Sequence, residues 1–258
     1  MNHPSKTIVI TGASSGIGKA LAEIYAAPDV TLALLARDPA RLNGVAESCR
    51  RSGAQVTELA LDIRECEPMA QWLQNFDQDH TIDLLIANAG IMHPLTRTDL
   101  HEPVPDITQT LDTNFLGVLN TVLPVLDRMQ QRGLGHIAVV SSMSALHGIP
   151  AFPVYAASKA ALLNYFQALR PRLSLAGVDL TIVCPGYIAT PMLDKLPGLK
   201  PLIMPAAKAA AIIKAGLDRR KPLIVFPVLL RLGLWLLGLL PAKIANWILI
   251  KFYGLERP

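Results

Sequence analysis

The chain has 258 residues, of which 51% are hydrophobic and 17% are charged. This length is enough for one large α/β domain with a substantial core, and the composition excludes disorder as the overall state. The formal net charge is only +4, but from residue 219 onward Glu256 is the single acid among seven bases. A basic end suits an anionic surface, and we expect no nucleic-acid partner from it.

The cysteines give no sign of a disulfide framework or a metal site. Cys49, Cys66 and Cys184 are odd in number and have no CxxC or Cys/His spacing. Residues 1–6 are short and polar, and the apolar run at 7–10 favours a strand over the core of a signal peptide. We therefore expect a cytoplasmic protein without a metal.

Apolar runs of strand length alternate with longer segments of helical character along the chain. The predicted strands lie at 6–11, 30–36, 55–61, 83–88, 136–141, 178–184 and 223–226. The predicted helices lie at 16–27, 39–52, 65–77, 106–132, 155–176 and 205–217. Several strands are apolar on consecutive residues, as in parallel sheets covered on both faces. The alternation predicts an α/β fold with a doubly wound parallel sheet of about seven strands.

A glycine-rich loop follows the first predicted strand directly. It reads TGASSGIG at 11–18 and leads into the first predicted helix. Glycines at such a turn let the backbone bend sharply and approach a pyrophosphate, whose charge the helix N-terminus attracts. Any loop can use glycine, but this position in an alternating α/β pattern favours a dinucleotide site.

With its GxxxGxG spacing, this loop resembles the opening motif of the short-chain dehydrogenase/reductase family, in its single-domain form. The matching positions that follow, in chain order, are Asp62 after the third strand, Asn88-Ala89-Gly90 after the fourth, Asn114 in the long middle helix, Ser142 after the fifth strand, the YxxxK motif at 155–159, Pro185-Gly186 after the sixth strand, and Thr190. The resemblance covers the chain almost to its tail. Each motif alone is weak, and their order is what makes the resemblance specific.

The resemblance implies a Rossmann-type catalytic domain over residues 1–226 that transfers a hydride between nicotinamide and a small-molecule carbonyl or alcohol substrate. It also implies a homo-oligomer, as is common in the family. The residues expected to bind the nucleotide are Gly12, Ser14, Ser15, Gly16, Ile17, Gly18, Arg37, Asp62, Ile63, Asn88, Ala89, Gly90, Tyr155, Lys159, Pro185, Gly186, Ile188 and Thr190.

Cofactor choice depends on the end of the second strand. Enzymes that use NAD usually have a carboxylate there for the ribose hydroxyls, whereas this chain has Ala36 followed by Arg37. A guanidinium can pair with a 2′-phosphate through two hydrogen bonds, so NADP(H) is favoured over NAD(H). Two features stand against this preference: Asp38 is adjacent, and Ser15 is not the base that some NADP-preferring relatives carry.

Tyr155 and Lys159 are predicted to share one helix face, because they are four positions apart. Tyrosine is a poor base at neutral pH, and a nearby ammonium and the nicotinamide ring are expected to lower its pKa. Lys159 is also expected to hold the nicotinamide ribose. The alternative, a surface lysine one turn from a packed tyrosine, is common, and only the family pattern favours catalysis.

Two further catalytic residues follow from the resemblance. Ser142 lies thirteen positions before Tyr155, the family interval, and is expected to stabilise the substrate oxygen in preference to Ser141 and Ser144. Asn114 is expected to hold, in a locally distorted helix, a water that links Lys159 to solvent. Without the family pattern, an ordinary polar helix residue is the better interpretation of Asn114. Pro171 predicts a helix interruption well beyond Lys159.

The substrate pocket is expected to come from the segments after the fifth and sixth strands. These segments are mainly apolar, which favours a hydrophobic ketone, aldehyde or alcohol, although the same side chains could be core. The expected pocket residues are Ser142, Ala145, Leu146, Phe152, Tyr187, Met192 and Leu193.

Residues 227–258 are predicted to form an apolar helical extension, packed on the catalytic domain or projecting from it. The stretches 228–240 and 244–253 are too short to cross a bilayer as helices. Basic residues are spaced along both stretches, and Trp235, Trp247 and Tyr253 are of the residue types that favour the bilayer interface. Membrane contact through 228–255, at the inner face of a membrane, and a subunit interface both remain open.

Two other functions fit parts of the pattern. A nicotinamide-binding regulator or scaffold without turnover would share the fold and the cofactor, but it would not need Tyr155 or Lys159. A sugar-nucleotide epimerase of the related extended fold would need a longer substrate domain than the residues after Thr190 supply.

Overall fold

The computed structural model describes residues 6–196 and 199–256. Within these residues a parallel sheet has the strand order β3-β2-β1-β4-β5-β6-β9. A two-stranded sheet joins β7 and β8. The strands are β1 (Thr7–Thr11), β2 (Thr31–Ala36), β3 (Gln55–Ala60), β4 (Leu84–Ala87), β5 (Gly135–Val140), β6 (Val178–Pro185), β7 (Ile188–Ala189), β8 (Met204–Pro205) and β9 (Leu223–Phe226). The predicted doubly wound sheet is confirmed, and each main-sheet strand lies within one residue of its predicted bounds.

Helices cover both faces of the main sheet. They are α1 (Gly16–Tyr25), α2 (Pro39–Arg51), α3 (Cys66–Asp79), α4 (Val104–Leu111), α5 (Gly117–Arg132), α6 (Pro153–Leu175), α7 (Pro191–Asp194), α8 (Ala206–Asp218), α9 (Val228–Leu239) and α10 (Ala242–Tyr253). Side chains of α1, α2 and α8 pack on one face, and those of α3, α5 and α6 on the other. Successive β1 residues show this division, since Ile8 and Ile10 join the first core and Val9 the second.

The long middle helix is distorted at the expected place. The predicted helix at 106–132 is divided into α4, a π-helical turn at Asp112–Leu116, and α5. Asn114 lies in this turn, as the family resemblance implied. The predicted interruption at Pro171 is wrong, because α6 continues to Leu175. Leu173 is buried against the sheet, and its packing offsets the hydrogen bond that a proline cannot donate.

The tail packs back on the domain. Leu230 and Leu234 of α9 contact the core on the α3, α5 and α6 side of the sheet, and Tyr253 of α10 is buried in a smaller apolar cluster. At the end of α10, the Glu256 amide donates to the Arg97 carbonyl at 3.1 Å. Across residues 6–196 and 199–256, every helix falls short of the length and apolarity that crossing a bilayer requires. The expectations for residues 1–5 and for Arg257 fall outside the described residues.

Candidate active site

A cavity of about 680 Å³ lies where the strand order of the main sheet reverses, between β1 and β4. Parallel sheets bind ligands at such a switch point, beyond the carboxyl ends of the strands. Its lining includes these residues expected to bind nucleotide: Gly12, Ser14, Ser15, Gly16, Ile17, Arg37, Asp62, Ile63, Asn88, Ala89, Gly90, Tyr155, Lys159, Pro185, Gly186, Ile188 and Thr190. Gly18 and Asn114 lie behind this lining, where they support it.

The loop after β1 has room only for glycine at two positions. Gly12 has a φ of +67°, and a Cβ there would lie 2.8 Å from the Ala89 Cα. Gly16 has a φ of +54°, and a Cβ there would meet Thr190 at 2.9 Å. The Ser15 side chain makes no capping hydrogen bond at the start of α1. Bare backbone therefore faces the cavity at a helix N-terminus, which fits a nucleotide pyrophosphate.

Asn88 ties the end of β4 to this loop. Its side-chain amide donates to the Thr11 carbonyl at 2.9 Å. The backbone amides of Asn88 and Ala89 both donate to the Thr11 hydroxyl, at 3.1 and 3.2 Å. A Cβ on Gly18 would collide with the Gly12 carbonyl oxygen and lie 2.6 Å from the Asn88 amide nitrogen. The glycine at this position therefore lets α1 approach the loop and β4 closely.

At the adenine end of the expected nucleotide site, basic side chains surround Asp62. The Arg64 guanidinium donates to its carboxylate at 2.8 and 3.1 Å, and the Arg37 guanidinium is 3.7 Å away. Burial alone would raise the pKa of Asp62, but the hydrogen bonds from Arg64 and the charge of Arg37 hold that pKa below its usual value. Asp38 caps α2 through the Arg41 amide and pairs with the Arg41 side chain at 3.2 Å, which occupies the carboxylate beside Arg37.

Arg41 also lines the cavity, although it was not among the residues predicted from the sequence. The available signal was its position, four residues after Arg37 in the first turn of α2. Arg37 lies just before α2 and Arg41 lies in its first turn, and because both line the cavity the two guanidiniums can face one anionic group.

Tyr155 and Lys159 lie one turn apart on α6, as predicted. The Lys159 nitrogen is 5.8 Å from the centroid of the Tyr155 ring and donates to the Val140 carbonyl at 3.0 Å. Burial lowers the pKa of Lys159 to about 8. Burial also raises the pKa of Tyr155 to about 12, although a hydrogen bond with Ser142 opposes the rise. In the protein alone, burial therefore raises the pKa of Tyr155, whereas we expected Lys159 and the nicotinamide ring to lower it.

Three serines follow β5, and their hydrogen bonds distinguish them. The Ser141 hydroxyl donates to the Lys159 carbonyl at 2.8 Å and so anchors α6 to the sheet. The Ser142 hydroxyl lines the cavity and accepts from the Ser144 amide at 3.1 Å, which leaves its own proton for another acceptor. The Ser144 hydroxyl is buried without a hydrogen-bond partner among the described residues.

The Asn114 side chain is fully buried and is bonded to backbone and to Ser158, not to Lys159. Its oxygen accepts from the Ile91 amide at 2.8 Å, and its nitrogen donates to the Ile91 carbonyl at 2.9 Å and to the Ser158 hydroxyl at 3.1 Å. The Ser158 hydroxyl donates in turn to the Tyr155 carbonyl at 2.7 Å. Both polar ends of this side chain are therefore engaged within the protein, and the expectation that Asn114 holds a water stays a prediction.

The far end of the cavity is apolar. Of the expected pocket residues, Ser142, Phe152, Tyr187, Met192 and Leu193 line it. Ala145 and Leu146 do not, because the short 3₁₀ helix at Met143–Ala145 turns them towards a second cavity beside α10. The expectation that they line the substrate pocket is therefore corrected.

The tail forms one wall of the same cavity, and this position was not predicted from the sequence. The lining residues from the tail are Leu230, Gly233, Leu234, Leu237, Ile248, Leu249, Phe252 and Tyr253. The available signal was the spacing of the α9 residues, since leucines at i, i+4 and i+7 predict one inward helix face. The described part of the tail is thus packed on the domain and does not project from it.

Comparison with known proteins agrees with this geometry. A family model described as short chain dehydrogenase matches residues 6–198. The ketoacyl reductase HetN of Nostoc sp. is 29% identical over 85% of this chain and 78% of that protein. The 11-beta-hydroxysteroid dehydrogenase 1A of Arabidopsis thaliana is 38% identical over 72% of this chain, which spans only 53% of that relative. The structure of a short-chain dehydrogenase from Sphingobium yanoikuyae in complex with NADPH superposes with a TM-score of 0.77 at 28% identity, over 86% of this chain and 87% of that chain.

Proposed function

The chain belongs to the short-chain dehydrogenase/reductase family and is an NAD(P)-dependent oxidoreductase that interconverts a carbonyl and an alcohol. On that premise we propose that it uses NADP(H), that its substrate is bulky and mainly apolar, and that Tyr155 is its acid and base. One observation carries the proposal: the glycine loop, the Tyr155–Lys159 pair and a wall of apolar side chains line a single cavity.

The proposed chemistry assigns the proton to Tyr155. When bound, the reduced nicotinamide supplies a hydride to the carbonyl carbon. With its pKa raised to about 12 by burial, Tyr155 keeps its proton at neutral pH and can donate it to the carbonyl oxygen as charge develops there. The Ser142 hydroxyl, which lines the cavity beside Tyr155, donates a hydrogen bond to the same substrate oxygen.

Alcohol oxidation reverses these steps and needs the Tyr155 phenolate as the base. The Lys159 ammonium near the tyrosine ring stabilises that phenolate. Because burial lowers the pKa of Lys159 only to about 8, the ammonium form still predominates at pH 7. Asn114 acts on this pair indirectly, through Ser158 and the backbone of Tyr155.

The preference for NADP(H) rests on two guanidiniums at the end of β2. Arg37 and Arg41 both line the cavity, and the neighbouring Asp38 is engaged with α2 and Arg41. A 2′-phosphate at this place can replace the 3.7 Å contact between Arg37 and Asp62 by a shorter, charge-assisted pair. The NADPH bound by the Sphingobium relative supports the same preference.

The substrate class follows from the walls of the far end. Aliphatic and aromatic side chains from the segments after β5 and β6 and from both tail helices line this end, so an apolar molecule gains burial there. The related proteins are named for ketoacyl and hydroxysteroid substrates, both of which are bulky and largely apolar.

Tyr155→Phe tests the mechanism, because it removes one oxygen and keeps the ring. We expect the turnover of apolar ketones, followed by NADPH absorbance, to fall by about a hundredfold or more. NADPH binding should stay within about twofold. Tyr165→Phe is the matched control, since Tyr165 packs on Phe166 away from the cavity lining.

Two results would decide against this assignment. A Tyr155→Phe variant that reduces ketones at the parent rate excludes Tyr155 as the proton donor. A wild-type chain that binds NADPH but converts no ketone, aldehyde or alcohol would support a nicotinamide-binding regulator instead.

We extend the proposal to the outer face of the tail, which we assign to an anionic lipid surface. Its exposed apolar side chains are Val228, Leu229, Leu232, Trp235, Leu236, Leu239, Leu240, Ile244, Trp247 and Ile250. The charged residues of α9 and α10 are Arg231, Lys243 and Lys251, all basic and exposed. Two short helices with this character can lie in the plane of a bilayer surface.

Vesicle co-sedimentation tests this surface. We expect the chain to bind vesicles that contain anionic lipid, more weakly as salt increases, and the double variant Trp235→Ser, Trp247→Ser to bind much less. If vesicles do not retain the protein at low salt and the double variant instead reduces the size of the particle in solution, the face is a subunit interface.

A further inference from the structure

The substrate end of the cavity contains two tyrosine hydroxyls that the proposed mechanism does not use. Tyr187 follows β6, Tyr253 is the last residue of α10, and their hydroxyl oxygens are 3.0 Å apart. Both side chains line the cavity, and Tyr253 is only 4% exposed. This hydrogen bond therefore joins the tail to the catalytic domain inside the substrate site.

The pair has one O–H donor left over after its own hydrogen bond is made. A hydrogen bond between two phenols uses one O–H and leaves the second O–H without an acceptor. Among the described residues, the other phenol is the hydrogen-bond partner found for each of these hydroxyls. Burial raises the pKa of both Tyr187 and Tyr253, so both keep their protons at neutral pH. When an apolar ligand displaces solvent from this end of the cavity, the spare O–H loses its solvent partner, and an oxygen acceptor on the ligand would replace it.

The side chains around this O–H donor are mainly apolar. The two tyrosines belong to an apolar cluster with Met92, Ile149, Phe152, Leu193, Leu196 and Phe252. Within such walls a hydrogen bond is stronger than in water, and a polar group of the ligand without a partner is strongly disfavoured. The pair is therefore a place where one oxygen of a ligand is favoured and where a purely hydrocarbon group is not.

We propose that the substrate carries, besides its reacting carbonyl or alcohol, a second oxygen that accepts a hydrogen bond from the Tyr187–Tyr253 pair. The inference rests on the proposed function, since it concerns the substrate of the same site. The substrate is then an elongated, mainly apolar molecule with oxygens at two separate positions. Tyr253 becomes a specificity-determining residue that the tail supplies.

A series of matched ketones tests the inference. The series has one apolar carbon skeleton, either with the reacting carbonyl alone or with a second carbonyl at increasing distance from it. At saturating NADPH we expect wild-type kcat/KM to rise by about three- to tenfold for the diketone whose second oxygen reaches the pair. The gain should appear in KM, because the pair is not part of the proton transfer.

Tyr253→Phe and Tyr187→Phe are the test variants, and each removes one hydroxyl while it keeps the ring. With either single variant the remaining phenol still offers one O–H to the ligand, so we expect part of the preference for the diketone to remain. The double variant should lose the preference entirely. The single-carbonyl ketone is the internal reference, so the preference is the ratio of the two kcat/KM values within each variant. Tyr165→Phe is again the control.

The outcomes separate this inference from the proposed function. Turnover of the ketones with no preference for a second oxygen at any distance overturns the inference and leaves the proposed function standing. An unchanged preference in the double variant also overturns it. No turnover of any ketone, together with unchanged NADPH binding, rejects the proposed function and this inference with it.

Discussion

The two ends of the cavity are built in different ways. At the nucleotide end the walls are largely backbone, since Gly12 and Gly16 present bare main chain and Thr11 and Asn88 hold the loop to β4. At the substrate end the walls are side chains, and many come from α9 and α10, far along the chain. Backbone held by short hydrogen bonds leaves little freedom to vary, whereas packed apolar side chains can be exchanged for others. The difference teaches that one end is adapted to a constant ligand and the other to a variable one.

Removal of the tail should have the largest effect, because it should reduce ketone turnover and leave nucleotide binding nearly unchanged. A chain that stops after Phe226 loses the wall formed by α9 and α10 but keeps every residue expected to bind the nucleotide. If a bulky ketone loses roughly 150 Å² of apolar contact, the cost is about 4 kcal/mol, or nearly a thousandfold in kcat/KM. Isothermal titration should give nearly the same Kd for NADPH as the full chain. Loss of both activities would mean that the two ends do not fold independently.

A substitution at the nucleotide end should weaken binding of the nucleotide and leave binding of the ketone nearly unchanged. Arg37→Ala removes the guanidinium next to Asp62, and we expect it to weaken NADPH far more than NADH, because only NADPH has the 2′-phosphate. The loss should be roughly 1.5–3 kcal/mol, and KM for the ketone should hardly change. Arg41→Ala is the comparison variant: its loss is expected to be smaller because Asp38 already pairs with that guanidinium. Equal losses for both nucleotides would show that Arg37 does not bind the phosphate.

The smallest expected effects are those of two glycine substitutions, one at each end of the cavity, on the stability of the fold. Gly233 lies within α9, and a Cβ there meets nothing within 4 Å, so Gly233→Ala should stabilise the fold by about 0.4–1 kcal/mol. Gly18→Ala instead forces a Cβ against the Gly12 carbonyl and should destabilise it by about 1–3 kcal/mol. Thermal unfolding of both variants measures the two signs. A stable Gly18→Ala protein would contradict the rigidity assigned to the nucleotide end.

The residues that could be predicted from the sequence lie mainly at the nucleotide end of the cavity, and those that could not lie mainly at the substrate end. The glycine loop, Asn88 and Tyr155–Lys159 were predictable because each occupies a fixed place in the alternation of strands and helices. Tyr253 and Leu234 were not, because their place depends on how the tail docks, and an apolar helix face does not specify its partner. Ala145 and Leu146 were misplaced for a related reason: one short helical turn after Ser142 redirects them.

The line of hydrogen bonds from Ile91 through Asn114 and Ser158 to the Tyr155 carbonyl has a consequence for the rate of the reaction. It crosses from the loop after β4 to the first turns of α6, entirely inside the protein. The backbone of Tyr155, the proposed proton donor, is thus immobilised during folding, before any ligand arrives. The conformational entropy of that segment is already lost in the free protein, so it adds little to the activation barrier of each catalytic cycle.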